Sequence, residues 1–426
     1  VLAYTIMTSS AVLAQDADTA KVNDDNYKFR LGGYGEMLAQ RKDYGTNRFY
    51  GGADGNTKIN RSSISIPRFV LAMDYRFNRK WELGAEIEFE SGGVGSAMEL
   101  ENTENGEYET ETEKGGEVAI EQFHITRRFL RELNFRFGHI IVPVGLTNAH
   151  HEPVNFFGTV RPEGETTILP STWHENGVEI FGSIGKSAYK FDYQFQLIEG
   201  LNANGFDRNT WVAGGKQGIF EEDNFTCPAI VSRIDYKGIP GMRIGFSHYF
   251  CNDAGKNADK YQTYSSCGKA TVNIITADIQ YKSDFVIFRA NIVDGNLASS
   301  SDISKKNIKL SSKSPYTRVT PIASKAVSYG AEAGLRLNAF PQNPKFPDLV
   351  PFVRYEYYNP QEQGEADQVM DPRLKTSMLV AGINYHILPG LVAKFDYTTR
   401  TIGGGDYNSE NEFAIGLAYV GWFFKK

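Results

Sequence analysis

The chain has 426 residues, a formal net charge of −6 and 23% charged side chains, enough for one very large domain or several ordinary ones. It contains no run of about 18 apolar residues, which excludes a transmembrane helix, and nothing in it points to a nucleic-acid partner. A transmembrane barrel is not excluded, because alternating strands hide an apolar face in a polar average; the 13% aromatic content suits the interfacial girdles of such a barrel.

Residues 1–14 read as the remnant of a secretory signal, with Val12, Leu13 and Ala14 as a small-residue cleavage site, and residues 15–26 as a periplasmic tail. From residue 27 to 426 the pattern is one of strands. The stretch KWELGAEIEFE at 80–90 shows it best: Trp81, Leu83, Ala85, Ile87 and Phe89 share one face, and Glu82, Glu86, Glu88 and Glu90 share the other. A period of two puts alternate side chains on opposite faces of a pleat. Carboxylates in a row lose several kcal/mol each on dehydration, so that face is expected to be wet and the other to meet lipid.

Sixteen such segments follow in order, at 27–41, 61–77, 80–92, 117–130, 133–141, 177–185, 189–198, 227–236, 242–252, 271–281, 284–294, 326–338, 349–358, 374–387, 390–400 and 412–424. Connections alternate between long ones (42–60, 93–116, 142–176, 199–226, 253–270, 295–325, 359–373, 401–411) and mostly tight turns. Long loops on one rim and short turns on the other predict an all-β, antiparallel, up-and-down transmembrane β-barrel with extracellular loops and periplasmic turns, in the outer membrane of a Gram-negative bacterium. Open edges are not tolerated in lipid, so the sheet must close. Segment 117–130 has no assignable face, because either register turns Glu121 or His124 outward. Pro67 marks a bulge near the rim of the second strand.

The inward positions carry Arg30, Arg68, Arg136, Arg233, Arg289, Arg354 and Lys394 against Glu82, Glu86 and Glu88 among other acids. Near balance of sign argues against strong charge selectivity, and separated rows would set a field across the pore. The longest loop, 142–176, carries His150, His151, Glu152, Arg161, Trp173 and His174, with Phe156 and Phe157 as anchors. A loop of this length is functional or disordered; its apolar anchors favour folding inward as a constriction. Its histidine clusters match no metal-ligand spacing. A glutamate run at 99–117 reads as a solvated surface loop, with a latch onto a neighbouring subunit or a divalent-ion bridge to lipopolysaccharide as alternatives. Of the three cysteines, Cys251 and Cys267 could bridge across one loop, Cys227 being the third.

LNFRFGHIIVPVG at 133–145 resembles the strand, glycine, then Pro-Phe-Gly signature of the phosphate-selective porin O and P family. NGVEIFG at 176–182 resembles the strand that follows its constriction loop. The resemblance implies a sixteen-stranded, usually trimeric barrel passing anions. The family's arginine-rich eyelet has no residue-for-residue match, since the loop holds Arg161 alone, so no phosphate ligand is carried over.

No nucleophile elbow, phosphate loop or paired-histidine zinc helix is present, so neither catalysis nor a cofactor is expected. The reading is a porin for passive diffusion of small hydrophilic solutes or anions. Its alternative is a barrel subunit of a larger secretion or uptake assembly with little channel activity.

Overall fold

The computed structural model describes residues 27–43, 60–93, 98–102, 108–112, 118–218, 223–258, 264–310, 319–340, 347–365, 367–405 and 408–426; the signal and tail expected at 1–26 lie outside them. The strands run β1 (Phe29–Lys42), β2 (Arg61–Asn78), β3 (Trp81–Glu90), β4 (Met98–Asn102), β5 (Tyr108–Thr112), β6 (Val118–Arg128), β7 (Asn134–Ile141), β8 (His174–Ile184) and β9 (Phe191–Ile198). They continue with β10 (Ala229–Tyr236), β11 (Met242–Cys251), β12 (Val272–Lys282), β13 (Val286–Leu297), β14 (Lys325–Leu335), β15 (Asp348–Gln363), β16 (Thr376–Leu388), β17 (Leu391–Ile402) and β18 (Ser409–Lys425). Two helices, α1 (Glu163–Ile168) and α2 (Ser300–Asn307), lie in connections.

Sixteen strands close one antiparallel barrel, while β4 and β5 form a separate hairpin in the connection from β3 to β6. Closure is made by β1, whose Tyr34 stands opposite Val70 of β2 on one side and Val420 of β18 on the other. The side-chain distribution inverts that of a water-soluble protein. Phe69, Ile87, Phe195, Leu379 and Phe413 are exposed on the outer surface, whereas Arg68, Glu86, Arg136, Glu179 and Lys394 are buried inside. An apolar exterior around a fully paired, edgeless sheet is a structure whose outer solvent is lipid. This is an outer-membrane barrel of the Gram-negative type.

Two bulges explain where the period of two slips. In the β3–β6 pair, Gln122 stands opposite Glu86 and Ile120 opposite Ile87, so Glu121 is an extra residue. The extra residue flips parity: Val118 and Ile120 face outward before it, Phe123 and Ile125 after it, and Glu121, Gln122 and His124 are all buried. Neither register assumed for a regular strand is right. In the β1–β2 pair, Glu36 opposes Arg68 and Leu38 opposes Ser65, leaving Ile66 and Pro67 against the single Met37. Pro67 thus sits in the expected bulge, where its missing N–H costs no ladder bond.

The barrel is not hollow. On the inner face of β10 to β13, Val231, Tyr249, Ile274 and Val293 pack with Phe206, Trp211, Ile303 and Ile322 from the long connections as one apolar cluster. Cys251 and Cys267 are not joined, so the expected bridge is absent. The reason is position: Cys267 Sγ lies against the Asp302 carbonyl of α2 at 4.0 Å, while Cys251 Sγ faces the Cys227 carbonyl at 3.8 Å.

Candidate pore and its inward loop

The connection from β7 to β8, residues 142–173, crosses the lumen. Its base is closed by Asn148, whose side chain donates to the carbonyls of Val142 (2.7 Å) and Trp173 (3.1 Å) and accepts from the Trp173 N–H (2.6 Å). Trp173 is fully buried and packs on Tyr249, ring centroids 4.9 Å apart. Irregular backbone inside a barrel must still satisfy its polar groups, and Glu165 of α1 does much of this. Its carboxyl accepts the N–H groups of Leu146 (3.0 Å), Thr147 (2.8 Å) and Asn148 (3.0 Å) and the side-chain amide of Asn291 (2.7 Å). Gly145 permits this approach: its φ is +84°, and a Cβ there would fall 2.3 Å from a Glu165 oxygen. Burial pushes the Glu165 carboxyl up to about 7.

On the opposite wall, complementary signs hold the loop backbone. Asp396 accepts the Thr159 N–H (2.6 Å) and Glu356 the Gly164 N–H (2.9 Å). The Lys394 ammonium donates to the carbonyls of Pro153, Phe156 and Gly158, the last two at 2.8 Å, and Arg354 donates to Val160 O at 3.2 Å. Phe157 stacks on Phe352 with centroids 5.1 Å apart and planes 13° from parallel. Arg400 of β17 grips Glu163 through two contacts and also holds Glu410.

The remaining loop residues singled out in the sequence serve the same docking. His150 donates from Nδ1 to Leu146 O (3.1 Å), leaving Nε2 to accept from Arg243 (2.6 Å). His151 meets Asn148 O through Nδ1 (2.7 Å) and the Tyr34 hydroxyl through Nε2 (2.9 Å), and Arg68 donates to its carbonyl at 2.6 Å. Burial lowers both imidazoles below the usual histidine range and raises the Glu152 carboxyl, which accepts from Asn155. His174 begins β8 and its ring lies between those of His139 and His151, at 5.8 and 6.0 Å. Among the described residues, no three His, Cys, Asp or Glu side chains converge with metal-binding geometry.

The wall charges are interleaved, not sorted into opposed rows. Arg30 pairs with Asp74 at 2.5 Å, Arg68 with Glu36 at 3.1 Å, Arg289 with Glu332 at 2.5 Å and Arg354 with Glu356 at 2.7 Å. Arg136 pairs with Glu179, and Arg233 bridges Asp235 and Asp278, both at 2.8 Å. The glutamate face of β3 corrects the expectation of open water: Glu82, Glu86 and Glu88 are buried. Glu82 is held by Arg76 (2.9 Å) and Arg128 (3.3 Å), and Glu86 by Gln122 (2.5 Å), while Glu88 lies beside Glu121. The partners of Glu82 and Glu86 replace the lost hydration, whereas, among the described residues, Glu88 Oε1 and Glu121 Oε1 are buried without a hydrogen-bond partner.

Arg400, Arg128 and Gln122 were missed as lumen residues. Arg400 continues the inward parity of Lys394 and Asp396 and could have been found by extending it; Gln122 was hidden by the bulge. A cavity of about 480 Å³ remains between residues 159–167 of the loop and the inner face of β1, β2 and β15 to β17. Lys42, Glu90, Arg161, Glu163, Tyr358 and Arg400 are among the residues that border it. Arg161 donates to the hydroxyls of Ser171 (2.6 Å) and Thr172 (3.3 Å).

Solved structures of similar fold include the outer membrane channel DcaP of Acinetobacter baumannii, with a TM-score of 0.56 and 12% identity over 92% of this chain and 97% of that one. Salmonella typhi OmpF in complex with daunomycin gives 0.55 and 12%, covering 93% and 98%. The anion-selective porin from Comamonas acidovorans gives 0.54 and 9%, covering 92% and 99%. The fold is that of a general outer-membrane porin. No family model matches the chain, so the porin fold is established without the narrower phosphate-selective O and P family. An uncharacterized protein of Aquifex aeolicus (strain VF5) is 24% identical over 403 residues, 92% of this chain and 79% of that protein.

Proposed function

We propose that this porin-fold chain is a passive diffusion channel of the outer membrane, taking small hydrophilic solutes or anions past the loop at 142–173. The observation that carries the reading is the cavity of about 480 Å³ left between that loop and the wall, bordered by the charged side chains of Lys42, Arg161, Glu163 and Arg400. The loop acts as the constriction and Arg161 as its cation. Because wall charges are paired across short distances, their fields largely cancel beyond a Debye length of ~8 Å, so selection is chiefly by size, with a mild anion preference from Arg161. No covalent step or cofactor is involved. The working unit is a homotrimer surrounded by outer-membrane lipid and lipopolysaccharide.

The apolar packing of connections against β10 to β13 favours a second reading, a barrel subunit of a secretion or uptake assembly with little conduction of its own. Liposome swelling separates the two. Vesicles containing the purified protein should swell in isotonic monosaccharide and progressively less as the sugar is lengthened. Absence of swelling with every sugar would support the assembly subunit.

A further inference from the structure

Cys227 and Cys251 meet inside the apolar cluster at the outer end of the β10–β11 hairpin. Cys251 is the last residue of β11 and stands opposite Ala229 of β10, two positions beyond Cys227. Both cysteines are buried, and Cys251 Sγ lies 3.8 Å from the Cys227 carbonyl oxygen. Cys227 is fixed in place by Asn257, which accepts its N–H at 2.8 Å and donates to its carbonyl at 2.9 Å. The space around the pair is shaped for it: a Cβ on Gly200 would come within 2.8 Å of Cys251 Sγ and 2.4 Å of the Cys227 carbonyl oxygen. Cys267 lies apart, against α2.

A chain that reaches the outer membrane passes through an oxidising compartment, where thiols that meet are joined and persist as disulfides. We propose that Cys227 and Cys251 form a disulfide in the mature protein, with Cys267 left as a thiol. The inference rests on the outer-membrane location and not on conduction. The oxidant is a protein dithiol carrier in its disulfide form. The Cys227 thiolate attacks one carrier sulfur and expels the other as a thiolate; the Cys251 thiolate then displaces the carrier. One S–S bond forms, two thiol protons are released, and the carrier leaves reduced by two electrons. Because the pair is buried once folded, this exchange precedes barrel closure. The bond anchors the end of the 199–228 connection beside its start at Gly200, so the connection is held where it packs against β11.

The test uses full-length protein from cells quenched in acid, which prevents oxidation during handling. The protein is unfolded in urea, treated with N-ethylmaleimide with or without prior reduction, and weighed. The expected result is a single adduct without reductant, mapped to Cys267, and adducts on all three cysteines after reduction. In a Cys267→Ser variant the unreduced protein should take none. Adducts on all three cysteines without reduction, or a linkage that includes Cys267, would overturn the proposal.

Discussion

Arg400, near the outer end of β17, clasps Glu163 at the first turn of α1, with Nε 3.1 Å from one carboxylate oxygen and Nη2 on the other. The two residues lie 237 positions apart, and both border the cavity. The contact ties the inward loop to the wall beside the proposed passage.

Replacing Arg400 by Gln leaves Glu163 and Glu410 without their shared cation. Breaking one side of a buried pair costs up to about 3–5 kcal/mol, and water in the lumen places this one nearer 1–3 kcal/mol. The loop should loosen at α1. Open-channel current should become noisier and protease cutting within 142–173 faster, and adding Glu163→Gln should make neither much worse, because the partner is already lost.

Lys394→Met keeps the aliphatic stem and removes the donor that serves three loop carbonyls. A hydrogen bond to a charged group is worth about 1.5–3 kcal/mol, so the 153–158 segment should detach. Hydrogen exchange should rise there and stay unchanged at the loop base around Asn148. Lys394→Arg, too bulky for the same three contacts, should give an intermediate result.

Glu165 makes loop docking sensitive to pH. Its carboxyl is raised by burial from 4.5 to about 7, so the protonated form is favoured when docked. The stabilisation is therefore full below 4.5 and is lost as pH rises through 7, about 3 kcal/mol in all at 1.36 kcal/mol per pH unit. Glu152, also raised by burial, acts in the same direction. Protease cutting within 142–173 should increase from acid to alkaline pH, and Glu165→Gln should flatten that profile.

Arg161 meets hydroxyls, whereas Arg136 faces Glu179 and Arg289 faces Glu332. Arg161→Glu should move the reversal potential in a salt gradient toward cations with the barrel intact. The same reversal at Arg136 sets two carboxylates against each other and should lower folding yield before it alters selectivity.

The sixteen strands were legible because one chemical rule acts along the whole chain: a side chain faces either lipid or the interior, and polarity alternates accordingly. The tight turns and the Pro67 bulge followed from the same rule. One extra residue at Glu121 broke it in β6, and no count of period two can locate an unpaired residue without the partner strand. Loop packing was partly visible in Phe157 and Trp173. The partners Phe352 and Tyr249 were not, since they lie in distant strands. Phe206 and Trp211, large apolar residues in a connection, were the available sign that more than one loop folds against the inner wall.

The most direct measurement is current through purified protein in a planar bilayer under a salt gradient, with phosphate then added to one side. Discrete, steady conductance steps, a small reversal potential and no block by phosphate are the expected result for a size-selecting channel with paired wall charges. An absence of steps would contradict the existence of a passage beside the loop.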